Sequence, residues 1–150
     1  MAVDKITTGI AGEHFVAAEL NSRGITASLT SKNSAIVDIL ACSRDGSVVR
    51  TIQVKTTSNT KRATWRLNKG SEEYTSKNLF YIFVRLNGLD SRPDYYVVPS
   101  LDVAKYIARC HKKWLSTPKK NGDPKKDRNM RAFDADGDKY LENWTSLGLD

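Results

Sequence analysis

Apolar residues fall into short alternating runs separated by polar, turn-forming stretches, with helical spacing near each end of the chain. Between residues 36 and 57, Val37, Ile39, Ile52 and Val54 alternate with Asp38, Gln53 and Lys55 on either side of Asp45-Gly46. Asp-Gly suits a type I′ turn, whose two central residues both need positive φ, so the segment predicts a β-hairpin with a two-residue loop. Counting outward, Arg44 faces Ser47 and Asp38 lies directly across from Gln53. The period of two turns Lys55 to the side of Gln53, and Val37, Ile39, Ile52 and Val54 to the opposite, core side. Facing Cβ atoms lie about 4.5–5.5 Å apart and diagonal ones about 7–8 Å, so the three polar head groups are expected to converge.

Elsewhere the pattern predicts a helix from a Thr7 or Thr8 cap to about Arg23, ended by Gly24. Ile10, Val16, Ala17 and Leu20 form its apolar arc, with Glu13 in the middle. A carboxylate there needs a partner, a metal or water, since an unpaired buried charge is costly; the plainer alternative sets Glu13 at the core edge beside a surface cation. His14 takes a more polar position and receives no role. Residues 25–30 read as a short strand and 31–34 as a polar connector. Residues 79–86 (LFYIFVRL) read as a central strand covered on both faces, and 94–98 (DYYVV) as a further strand. Ser100 is the expected cap of a second helix to about Leu115, with Val103, Ile107, Cys110 and Trp114 on one face. Tyr140, Leu141, Trp144 and Leu147 suggest a short terminal helix.

The stretch 58–77 is polar and reads as a loop over the open end of the hairpin, with at most a short helix at 71–76. Its Lys61, Arg62, Trp65 and Arg66 combine cations with an aromatic, a set able to hold phosphates and stack on bases. Equally, Trp65 anchors the loop to the core. Asp134, Asp136 and Asp138 resemble the start of a calcium loop, but Lys139 and Thr145 stand where that loop needs Gly and Glu, so the segment reads as a turn.

Composition narrows the class. A chain of 150 residues fits one domain with an ordinary core. Its longest apolar run is far too short to span a bilayer and the N-terminus lacks a signal-peptide core, so a cytoplasmic protein without membrane association is expected. Cys42 and Cys110 lack the spacing of a zinc site or disulfide framework, and are expected as small buried residues. Of the net charge of +7, six units fall between Lys112 and Arg131, where eight cations face Asp123 and Asp127. Such a cluster, including Lys119, Lys120, Lys125, Lys126 and Arg128, is the footprint of attraction to a polyanion such as DNA, or else a mobile solvated loop.

Asp38, the Gln53-Val54-Lys55 triplet and a helical Glu13 upstream have the spacing of the PD-(D/E)XK nuclease superfamily, which the chain resembles over roughly its first two thirds. Val37-Asp38 resembles the Pro-Asp element, Gln53-Val54-Lys55 the acidic-X-lysine element in its Gln-X-Lys form, and Glu13 the first-helix glutamate of some branches. The resemblance implies a restriction endonuclease-like α/β/α fold, a central mixed sheet of about five strands flanked by helices, with a basic C-terminal extension. The nuclease-like core would be residues 1–115, with 116–150 packing on it. It implies a Mg²⁺ (or Mn²⁺) ion held by Asp38, Gln53, Glu13 and the Val54 carbonyl, and Lys55 at the scissile phosphate or the attacking water. DNA is the implied substrate. Since one site cuts one strand, a dimer or larger homo-oligomer is the implied assembly. Two readings from other classes stand beside the endonuclease: a non-cutting nucleic-acid binder on the same fold, and a protein in which Asp38 and Lys55 merely pair across the sheet.

Overall fold

The computed structural model of the protein describes residues 3–31, 34, 36–135 and 137–150. Lys32 and Asn33 of the polar connector and Asp136 of the aspartate series lie outside the described residues. In order the elements are α1 (Lys5–Ser22), β1 (Thr26–Leu29), β2 (Ile39–Cys42), β3 (Val49–Thr57), β4 (Thr64–Asn68), β5 (Leu79–Arg85), β6 (Asp94–Pro99), α2 (Ser100–Ser116) and β7 (Met130–Asp134). Short 3-10 turns cover Lys69–Glu72 and Trp144–Leu147.

Five strands form one mixed sheet in the order β1-β2-β3-β5-β6, with β3 and β5 parallel and the other neighbours antiparallel. α1 lays Val16 and Leu20 over Ile39, Ile52, Val54, Ile82 and Val97 on one face. On the other face Val103 and Ile107 of α2 cover Tyr81, Phe83 and Val98. This is the sheet flanked by helices that the sequence predicts. β5 is buried along Leu79–Val84, as its unbroken apolar run requires.

The hairpin keeps the predicted register, Ile39 facing Ile52 and Cys42 facing Val49, but closes differently. Gly46 takes φ 73° while Asp45 does not enter the positive-φ region, so the turn is not type I′. Ser43 N–H donates to the Val48 carbonyl at 2.9 Å, leaving a four-residue loop, 44–47. The Asp45 carboxylate accepts from the Ser43 hydroxyl and from the Ser47 hydroxyl and N–H, which holds its pKa down at about 2. Two- and four-residue loops share a centre, so the register is the same for both.

Several expectations are corrected. Asp4, not Thr7 or Thr8, caps α1, its carboxylate accepting from the N–H groups of Ile6 and Thr7 at 2.9 Å. Ser100 does not cap α2; its hydroxyl bonds the N–H and carbonyl of Ser76, tying the helix start to the turn before β5. Cys110 is exposed, in the last turns of α2 beyond its final buried residue Ile107, and Cys42 is half-buried at the end of β2. The terminal residues form a 3-10 turn, which buries Trp144 and Leu147.

The largest departure is the crossover from β3 to β5. It holds strand β4, paired antiparallel with β7 from far along the chain, where the sequence suggests only a loop and a turn. The pairing sinks Trp65 (2% exposed) and Phe133 beneath the ribbon, with Trp65 packed on Phe83 and Tyr96 and its Nε1 donating to the Val84 carbonyl at 2.9 Å. Trp65 is therefore a core anchor and not a base-stacking platform. Trp65→Ala is expected to lower the unfolding free energy by about 3–5 kcal/mol in denaturant titration, the cost of a large core truncation.

Candidate functional site

β3 carries Gln53 and Lys55 on the α2 side of the sheet, in register with Tyr81 and Phe83 of β5, and Val54 and Thr56 on the α1 side. The ladder between β2 and β3 runs from Cys42–Val49 to Ile39–Ile52 and then breaks. The spacing fixed at Ser43–Val48 would give the Val54 N–H to the Val37 carbonyl. Instead, Val37 accepts from the Thr30 hydroxyl, and the Asp38 carboxylate takes the Val54 N–H at 2.7 Å. Asp38 N–H donates to the Ile52 carbonyl at 2.9 Å and Thr30 N–H to the Asp38 carbonyl at 2.9 Å, which locks the residue where the strands part.

At that parting a cleft of about 280 Å³ opens between α1 and the chain leading into β2, lined among others by Ile10, Glu13, Thr30, Ser34 and Asp38. Glu13 is half-buried beside the contact stripe of α1, which is Thr8, Gly12, Val16 and Leu20 and not an arc centred on Glu13. The stripe begins with small residues because the helix comes very close to the sheet. A Cβ built on Gly12 would stand 1.8 Å from Thr56 Oγ1 and 2.9 Å from its Cβ and Cγ2. The Thr56 hydroxyl is buried there with no hydrogen-bond partner among the described residues.

Burial pushes the Asp38 carboxyl above its usual range, opposed by the Val54 N–H and by the charge of Lys55. Lys55 itself lines a neighbouring groove of about 560 Å³ with Lys5, Arg62, Thr64 and Arg66. Glu13 and Asp38 thus share one cleft, with Lys55 close enough to favour the ionised aspartate. Gln53 is half-buried and lines neither of these clefts. The Asp38 carboxylate, on the Val54 N–H and in the cleft against α1, therefore does not converge with the Gln53 amide on the α2 side as the alternation predicts.

The other cations are divided. Lys61, Arg62 and Arg66 are exposed near the groove, with Arg62 paired to Asp134 at 3.2 Å. Lys119, Lys120 and Lys126 are exposed beyond α2. Lys125 and Arg128 lie over the Trp114 ring at 4.8 and 4.1 Å, so the basic segment is clasped to the helix. Lys5, which lines both clefts, is absent from the sequence reading. Its signal is a cation in the first turn of a helix, against the macrodipole, which a cap placed at Thr7 or Thr8 hides.

No protein-family model and no curated protein sequence matches the chain. Among solved structures it is similar to a bacterial homing endonuclease, with a TM-score of 0.56 and 11% identity over 98% of this chain and 94% of that one. A Holliday junction resolvase from the archaeal hyperthermophile Archaeoglobus fulgidus superposes with a TM-score of 0.49 and 14% identity, over 84% of this chain and 83% of that one. At such identities the likeness is one of fold, and the fold is restriction endonuclease-like.

Two outcomes follow for the site. Gly12→Ala is expected to cost about 1–3 kcal/mol through overpacking, despite the higher helix propensity of alanine, and Thr56→Ala in the same chain to recover part of it in thermal unfolding. Because the folded pKa of Asp38 is raised, the native state binds its proton more readily than the unfolded chain, and stability falls as pH rises from the unfolded value of 3.8 through the folded one. Asp38→Asn, which leaves an oxygen for Val54 N–H, is expected to raise the denaturation midpoint at neutral pH. That gain shrinks as pH drops below the carboxylate range.

Proposed function

We propose that the protein is a divalent-metal-dependent endonuclease that hydrolyses DNA phosphodiester bonds. The observation that carries this reading is the cleft in which Glu13 of α1 meets a desolvated Asp38 beside a groove lined by Lys55, on a fold whose structural neighbour is an endonuclease.

The donor set fits a hard cation. Mg²⁺ takes oxygen ligands, often one or two carboxylates, with water and substrate phosphate completing its octahedron. Asp38 keeps Oδ2 on the Val54 N–H, while Oδ1 accepts no hydrogen bond among the described residues. Asp38 and Glu13 would hold the ion, with the Val54 carbonyl as a neutral ligand, while Gln53, the ligand the resemblance implies, stands on the α2 side of the sheet and lines neither cleft. When bound, such an ion lowers the pKa of a coordinated water and neutralises charge growing on the phosphate oxygens. The chain's own residues do the rest. The Val54 N–H orients Asp38, Lys55 holds the scissile phosphate or the attacking water as a point charge, and Lys5 and Arg62 draw the backbone into the groove. Cutting both strands calls for two such sites, hence a dimer or larger assembly.

Two observations favour the second reading, a binder that does not cut. Among the described residues no three His, Cys, Asp or Glu side chains cluster as metal ligands, and Gln53 stands outside the acidic cleft. Supercoiled plasmid separates the two. The endonuclease nicks it with Mg²⁺, stops with chelator, and loses at least about a hundredfold in rate as Lys55→Ala, the scale of removing one group that stabilises transition-state charge. Salt-sensitive binding with no cutting of plasmid, branched junctions or a randomised duplex pool establishes the binder.

A further inference from the structure

The β4–β7 ribbon is a two-stranded sheet of its own, with no backbone ladder to the main sheet, and its two faces differ in chemistry. Inward it buries Trp65, Leu67 and Phe133, together with Arg131, whose guanidinium is taken up by Glu72. Outward, by the period of two, it presents Thr64, Arg66 and Asn68 from β4 against Asp134, Ala132 and Met130 from β7. Arg66 and Asn68 are exposed, and neither side chain forms a hydrogen bond or ion pair among the described residues. Met130 beside them is 39% exposed. Asp134 closes one end, tied to the Thr64 hydroxyl and the Arg62 guanidinium, while Lys69 at the other end pairs with Asp127 at 3.6 Å. The carboxylates bordering this face are thus answered, and the unanswered charge is that of Arg66.

We propose that this outward face reads base edges in the major groove of duplex DNA, with Arg66, Asn68 and Met130 as its contacting side chains. The inference rests on the reading of the chain as a DNA-cutting protein and adds where its sequence preference resides. A two-stranded ribbon is one of the two elements that the major groove, about 12 Å wide, admits. Arg66 and Asn68 are two residues apart on one strand, about 6.8 Å, which spans roughly two base-pair steps. Their chemistries complement different edges: a guanidinium fork meets O6 and N7 of guanine, a carboxamide meets N6 and N7 of adenine, and an apolar side chain meets the thymine methyl. Ala132, facing Arg66, leaves room for that approach. Position agrees with chemistry, because Arg62, Thr64 and Arg66 also line the groove that holds Lys55. A duplex seated with its backbone at Lys55 runs alongside the ribbon.

The test is selection of bound duplexes from a pool with a randomised core, in Ca²⁺ without Mg²⁺, using the full chain. Wild type is expected to enrich defined base pairs. Arg66→Ala is expected to lose about tenfold or more of the discrimination at one pair, and Asn68→Ala at another about two steps away, with the remaining positions unchanged. Arg66→Lys keeps the charge and loses the fork, so it loses the same discrimination while keeping the salt dependence of wild type, a split that a purely structural or purely phosphate-binding arginine does not produce. Enrichment identical to wild type in the Arg66 and Asn68 variants, or no enrichment by wild type, overturns the proposal. Plasmid nicking in Mg²⁺ is read separately. A chain that nicks but selects independently of the ribbon keeps the enzyme and loses the reader, and one that selects through the ribbon but never nicks keeps the reader and loses the enzyme.

Discussion

A side-chain carboxylate takes the place of a ladder carbonyl where β2 and β3 part, and the geometry of the site depends on that exchange. The Val54 N–H is a buried donor that must be paired, and a hydrogen bond to a charged acceptor is worth about 1.5–3 kcal/mol. With Asp38 as acceptor, the ladder ends at Ile39–Ile52 and Thr30 collects the released Val37 carbonyl. The strands then diverge and a cleft opens toward α1. The same bond holds a desolvated carboxylate in one orientation with its second oxygen left over. Desolvation disfavours that charge, so a nearby cation, whether Lys55 or a bound metal, gains more from meeting it than it would at the surface.

The approach of α1 is set by size. Gly12 lies against Thr56, one residue before Glu13 and one after Lys55, so a contact too close for any side chain at Gly12 falls between two groups proposed for the chemistry. Backbone packed this tightly holds the glutamate at a fixed depth, at the cost of a threonine hydroxyl left without a partner among the described residues. A strained or unsatisfied group beside a candidate site is where local rules are expected to give way to function.

What the sequence disclosed follows the same division. The hairpin register was legible because Asp45-Gly46 marks the centre of symmetry whichever turn forms, and Leu79–Val84 was legible because no polar residue interrupts it. The placement of Asp38 was only half legible. Alternation puts it opposite Gln53, but the break in the ladder depends on Thr30, on a different strand edge. Trp65 among cations looked like a stacking platform, and the strand that buries it lies some 65 residues on, a pairing that no local pattern announces. The close seat of α1 escaped the hydrophobic count because a glycine makes part of its contact with the sheet.

The clasp around Trp114 alters what the basic segment offers a polyanion. Lys125 donates to the Trp114 carbonyl and lies over its ring, Arg128 covers the same ring, and Asp127 is shared by His111, Lys69 and Arg131. Of the eight cations between Lys112 and Arg131, those exposed with no ion pair or ring contact among the described residues are Lys112, Lys113, Lys119, Lys120 and Lys126. Counterion release scales with phosphates neutralised and not with residues of a given sign, at a slope near −0.9 per contact on duplex DNA. A polyanion meeting this segment would therefore answer to five free charges and not to its eight cations, a flatter ionic-strength response than its composition suggests.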